Sequence, residues 1–134
     1  FSTLHGVMVS DFPNMFISGG AQGTQATTMT YGLGVQADHC ARIIDWCRGR
    51  QIARVEVKPE AEAKWKQAMI DAAVDHYHYY DACTPGYINF EGRANGSYVW
   101  EYFYGAGPVE YRKLLDRWFE DDLERDLALN EPAS

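Results

Sequence analysis

The part of this sequence best suited to holding a ligand is a glycine-rich loop: Gly19-Gly20, then Ala21-Gln22-Gly23-Thr24, with Thr28 and Met29 further on. It follows a short apolar run, Met15-Phe16-Ile17-Ser18, and leads into a helical pattern. Backbone N–H groups and the positive end of a helix dipole can therefore face an electron-rich group there. The pattern alone is a weak signal. Gly32-Leu33-Gly34 lacks a glycine three residues on, and no G-x-G-x-x-G, phosphate-loop or G-x-S-x-G motif occurs, so these residues do not encode a complete nucleotide site.

The other reactive side chains read more plainly. His76 and His78 sit among tyrosines, and zinc would need further ligands from Asp75, Asp81 or Cys83. A spacing of two points the histidines apart on a helix, and no metal site is expected. Cys40 and Cys47 fall seven apart on an apolar face, where thiols behave as small hydrophobes. With Cys83 they make an odd count without C-x-x-C spacing, which does not read as a disulfide framework and suggests a reducing, cytoplasmic setting. His39, beside Asp38, is either a polar neighbour of a ligand or an ordinary half-buried histidine. The tyrosines and tryptophans between Tyr77 and Tyr104 could line a pocket or cover a neighbouring domain.

The elements that would position these residues follow from periodicity. Residues 15–18 read as a buried strand stopped by glycines, and residues 19–30 as a loop. From about Leu33 a helix is expected, with Ala37, Cys40, Ala41, Ile44 and Cys47 on one face, Arg48 in the last turn and Gly49 as its stop. Residues 52–58 alternate with period two. Pro59 with Glu60 and Glu62 then opens a helix whose apolar face is Ala61, Trp65, Ala68, Met69, Ala72 and Ala73. Residues 76–107 read as wrapping segments and short strands. Pro108 starts a last helix with Tyr111, Leu114, Leu115, Trp118 and Phe119 on one side, and the tail from Asn130 to Ser134 is expected to fray.

With 134 residues the chain is one domain or part of a larger one. Nine Tyr, six Phe and four Trp supply apolar area that argues for packing rather than disorder. The formal charge of -7, with scattered basic residues, argues against a nucleic-acid partner, which needs a concentrated positive face. No apolar run is long enough for a membrane span and no leader pattern opens the sequence. Asn95-Gly96-Ser97 fits a glycosylation sequon, but nothing else suggests secretion.

Four segments, in order, carry a resemblance to a known family. Gly6-Val7-Met8-Val9-Ser10-Asp11-Phe12-Pro13-Asn14-Met15-Phe16 resembles the F-P-N strand late in the FAD domain of class B flavin monooxygenases, specifically the Baeyer–Villiger enzymes. Ala21-Gln22-Gly23-Thr24 and the Q-A-x-H helix Gln36-Ala37-Asp38-His39 are similar to the loop and helix that follow it. Cys83-Thr84-Pro85-Gly86-Tyr87-Ile88-Asn89-Phe90-Glu91-Gly92 and Tyr104-Gly105-Ala106-Gly107-Pro108-Val109-Glu110-Tyr111 resemble segments of the subgroup that acts on aryl, macrocyclic or steroid-like ketones.

The resemblance implies an α/β fold: the C-terminal portion of a flavoprotein with two dinucleotide-binding, Rossmann-like domains. Residues 1–50 would end the FAD-binding domain as strand, flavin-facing loop and helix, and residues 51–134 would form a helical and wrapping region. It implies FAD and NADPH as cofactors, and insertion of one oxygen atom from O2 next to a ketone carbonyl to give an ester or lactone. Gly19, Gly20 and Gln22 match the loop that approaches the flavin. Thr28 and Met29 match the stretch beside the flavin ring and ketone pocket. Tyr87, where many relatives carry Trp, matches a mobile loop near NADP and substrate, with Asn89 close behind. The family's catalytic arginine and both nucleotide fingerprints lie upstream of the matching segments, so no catalytic residue is assigned in this chain. The implied partners are a small ketone and the remainder of the FAD and NADP domains, with no nucleic acid or membrane. Alternative readings are a non-catalytic binding or interaction module and an N- or S-oxygenating class B enzyme.

Overall fold

The computed structural model describes residues 2–19, 22–24, 28–74, 82, 84–86, 91–92 and 103–130. The element order is α1 (Met29–Gly49), β1 (Arg54–Val57), α2 (Pro59–Asp71), α3 (Pro108–Asp121), α4 (Leu123–Asp126) and β2 (Leu127–Asn130).

The chain enters through a buried turn. Val7 N–H donates to Leu4 O at 3.0 Å and Leu4 N–H to Met8 O at 2.8 Å. The two central residues, His5 and Gly6, have φ of 55° and 74°, the left-handed pair that a mirror-image hairpin turn requires. This buries the His5 side chain although the residue sits in a turn.

Residues 15–18, expected as a buried strand, belong to no ladder among the described residues and are half-buried or exposed. Ile17 N–H donates to Val7 O at 2.8 Å, but a strand needs a neighbour that answers it along its length. The chain is held instead by Asn14. Its side-chain Nδ2 donates to Ala53 O at 3.0 Å, its Oδ1 accepts from Val55 N–H at 2.9 Å, and its own N–H donates to Val55 O at 2.8 Å. One asparagine at φ 60° thus stands in for a strand along the edge of β1.

Helix α1 begins at Met29, four residues before the expected start. Two glycines in its first two turns lower helix propensity, but packing overrides them at Gly32. A Cβ there would lie 3.0 Å from Thr24 O, so glycine lets the loop pass close to the helix. Of the face expected for this helix only Cys47 is buried: Ala37, Ala41 and Ile44 are exposed and Cys40 is half-buried. The buried face is instead Val35, Gln36, His39, Ile43 and Cys47, because the helix packs the side that carries the polar Gln36 and His39 against the loop and His5. In α2 the buried positions are Ala61, Trp65 and Met69, as the spacing predicts, with Glu62 beside them. Glu62 is accepted into the interior because its carboxylate receives both the N–H and the hydroxyl of Ser10.

Helix α3 buries Tyr111, Leu115 and Trp118. Beyond it Leu127–Asn130 pairs antiparallel with β1 in the register Arg54↔Asn130 to Val57↔Leu127, so of the tail expected to fray Asn130 is paired, and residues 131–134 lie outside the described residues. Asp126 secures this return: it accepts from Trp118 Nε1 at 2.8 Å and from Arg125 Nε at 2.8 Å. Burial opposes its charge, but the Arg125 and Trp118 hydrogen bonds outweigh burial and hold the carboxyl below its usual range. Side chains from both sides of position 50 share one core, from Leu4, Val35 and Ile43 to Trp65, Met69, Tyr111 and Leu127.

Candidate functional site

The loop singled out in the sequence lies against the N-terminal half of α1 and is fastened from three directions. Gly19 N–H donates to Gln36 Oε1 at 3.2 Å. Trp65 Nε1, from α2, donates to Gln22 O at 3.1 Å. Tyr104 N–H donates to Gly23 O at 2.7 Å, and Gly23 pairs with Phe103 as a parallel bridge. Gln22 adopts φ 56° and its side chain points inward, 1% exposed, with Oε1 accepting from Thr3 Oγ1 at 2.6 Å. Its amide thus belongs to the core, and the loop presents itself through its backbone.

The loop delivers Thr28 as the residue before α1, with φ -118° and ψ 124° and no side-chain cap bond. Thr28, Met29, Thr30 and Tyr31 are all exposed, Met29 at 70% and Tyr31 at 42%. The first turn carries no acid. An open helix start without a competing carboxylate leaves its positive end available to an electron-rich group. Of the remaining sequence candidates, Gly19 is half-buried, with open space where a Cβ would stand. Gly20, Tyr87 and Asn89 lie outside the described residues, as do His76, His78 and Cys83.

Behind the loop sits a buried group that the sequence did not bring together. His5 Nδ1 and His39 Nε2 are 3.3 Å apart, and Trp65 and Trp118 meet the His5 ring edge-on at centroid distances of 5.0 and 4.8 Å. His39 was open between a ligand neighbour and a half-buried histidine; it is fully buried and its partner is another histidine. The contact needs one ring to donate and the other to accept, so the two rings cannot both be protonated. Burial and then the nearby Arg42 lower the His39 pKa to about 4, with Asp116 opposing. Burial, then His39 and Lys64, lower His5 well below its ordinary value. The Tyr111 hydroxyl closes the group by donating to His5 O at 2.6 Å, and burial raises its pKa. The only sequence signals were the histidine and glutamine of the Q-A-x-H helix.

Cys47 is buried and Cys40 partly so, and burial pushes the Cys40 thiol up to about 11, which disfavours the thiolate a nucleophile needs. Among the described residues, no cluster of three His, Cys, Asp or Glu side chains could hold a metal ion, and no helix is long and apolar enough to cross a membrane.

The architecture matches the C-terminal part of flavin-dependent ketone monooxygenases. A polycyclic ketone monooxygenase from Thermothelomyces thermophila superposes with a TM-score of 0.83 at 30% identity, over 99% of this chain and 22% of that one. A cyclohexanone monooxygenase from Rhodococcus sp. Phi1 shares the fold with a TM-score of 0.77 at 23% identity, over 98% of this chain and 24% of its own. No family model matches the chain. Among curated proteins, pentalenolactone D synthase of Streptomyces exfoliatus is 35% identical over 88% of the chain and 20% of its own length. A Baeyer–Villiger monooxygenase of Streptomyces coelicolor is 35% identical over 94% of the chain and 20% of its own. The chain belongs to the Baeyer–Villiger monooxygenase family, and it spans about a fifth of the length of the curated relatives it matches.

Proposed function

We propose that this chain is the flavin-facing C-terminal part of an FAD- and NADPH-dependent monooxygenase that inserts one oxygen atom from O2 beside a ketone carbonyl, giving an ester or lactone. The observation that carries the reading is the open start of α1, Thr28 to Tyr31, presented by a loop whose backbone is bonded to Gln36, Trp65 and Tyr104. The relatives' names supply the reaction class.

The residues present fit a flavin in part. The N–H groups at the start of α1 and the backbone of Gly19 and of residues 22–24 can face the electron-rich edge of its ring, and no acid in the first turn opposes negative charge there. The flavin, when bound, supplies the redox chemistry. The chain's own residues position that edge and shape the ketone pocket. Met29, exposed at the helix start, and Thr28 beside it line the pocket side, with Tyr87 and Asn89 as further contacts. Gln22 acts through its loop backbone, since its amide is committed to Thr3. Residues 1–50 are the end of the FAD domain and residues 51–134 a helical wrap.

The test uses the longest native polypeptide that carries this sequence. Purified protein should hold flavin, oxidise NADPH faster when a ketone such as cyclohexanone or a polycyclic ketone is added, and yield a product heavier by one oxygen atom. Met29→Ala and Tyr87→Ala should change ketone preference, or divert NADPH consumption to peroxide, with little loss of melting temperature. Oxygenation only of amines or sulfides would replace the reaction class, and absence of flavin would overturn the reading and leave a binding module.

A further inference from the structure

Gln36 lies in the second turn of α1, 1% exposed, with its amide spread along the inside of the loop. At one end its Oε1 accepts the Gly19 N–H at 3.2 Å. At the other its Nε2 occupies the place where a side chain on Gly23 would begin: a Cβ there would fall 2.4 Å from Nε2, 3.3 Å from Cδ and 3.7 Å from the Tyr111 hydroxyl. One side chain therefore touches the loop at two residues four apart, and it projects from the helix whose first turn the same loop delivers. Trp65 and Tyr104 also grip this loop, but they belong to α2 and the segment before α3. Their contacts fix the loop to the rest of the chain rather than to the start of α1.

We propose that Gln36 is a positioning residue that sets the distance between the flavin-facing loop and the N-terminal turn of α1, with Gly23 as the matching cavity. The proposal rests on the flavin reading given above. The physical reason is geometric. A buried amide of fixed length, bonded at one end and packed at the other, allows little sliding of the loop along the helix. Displacement of a contact surface by about 1 Å changes rates by up to about a hundredfold where a reacting group must be held in place. Gly23 is required because any side chain would occupy the position of the amide nitrogen.

The test is a mutant cycle in the same full-length flavoprotein, with Gly23→Ala, Gln36→Ser and the two combined. Gly23→Ala should keep bound flavin but shift its visible spectrum. At saturating NADPH it should slow anaerobic flavin reduction by about tenfold or more, with the Kd for NADPH unchanged. Gln36→Ser empties the space that the new methyl group needs but also loses the acceptor for Gly19, so it should shift the spectrum by itself, and adding Gly23→Ala to it should slow reduction little further, far less than the sum of the two single effects. Gln36→Met, which keeps length but loses the acceptor for Gly19, should show the spectral shift without a matching fall in melting temperature. Effects of Gly23→Ala and Gln36→Ser that simply add would overturn the proposal. Variants that lose stability while the spectrum and the reduction rate of their folded fraction stay unchanged would make Gln36 a packing residue and overturn it as well. Wild-type protein without flavin would instead overturn the reading on which the proposal rests, and the melting temperatures of the cycle would still report whether Gln36 and Gly23 are coupled.

Discussion

Acidifying the protein from about pH 7 to about pH 4 should remove roughly 3 kcal/mol of stability through His39 alone. Its pKa in the folded state is about 4 against an ordinary 6.5, because burial and the nearby Arg42 disfavour the cation and Asp116 only partly compensates. A lowered pKa means that the unfolded chain binds the proton first. The stabilising contribution is therefore whole above about pH 6.5 and is lost as the pH falls toward 4, and the gap between the two values corresponds to about 3 kcal/mol. His5 acts in the same direction, since its pKa is also lowered and a second proton would set two N–H groups face to face across 3.3 Å. The assay is urea unfolding at several pH values for wild type and His39→Leu. Subtracting the two curves removes the carboxylates common to both. His39→Leu should be less stable at neutral pH but should lose less stability between about pH 6.5 and 4. Parallel wild-type and variant curves across that window would refute the argument, as would stability that rises on acidification.

Gly105→Ala should destabilise by about 1–3 kcal/mol, because a Cβ there would meet Ala72 O at 2.0 Å and backbone would have to move; thermal unfolding reads it directly. Asn14→Ala removes both side-chain bonds to the edge of β1 and should cost about 1–2 kcal/mol, with hydrogen exchange rising first at Val55. Trp118→Phe leaves Asp126 without its indole donor. It should raise the Asp126 pKa and loosen β2, which NMR titration of the carboxyl and exchange at residues 127–130 would detect.

The sequence by itself determined the helices that carry strong apolar periodicity or a proline start. The face Ala61, Trp65 and Met69 and the face Tyr111, Leu115 and Trp118 are both buried as their spacing requires, because a local period fixes which side of a helix is apolar. Ordered motifs also sufficed to place the chain in its family. Where α1 begins was decided in three dimensions: the close pass of Thr24 over Gly32 outweighs the low helix propensity of its glycines. The state of residues 15–18 was not legible either, since an apolar run says nothing about which neighbour will answer its N–H and C=O groups. β2 escaped notice because a four-residue strand gains its identity only from the register it finds against β1. The site shows the same division. Glycines and the helix start could be named from local chemistry, whereas the pairing of His5 with His39, the inward turn of Gln22 and the span of Gln36 from Gly19 to Gly23 join residues far apart in sequence or on opposite sides of a loop. Burial and contact of that kind are properties of the packed chain, and only the tertiary structure decides them.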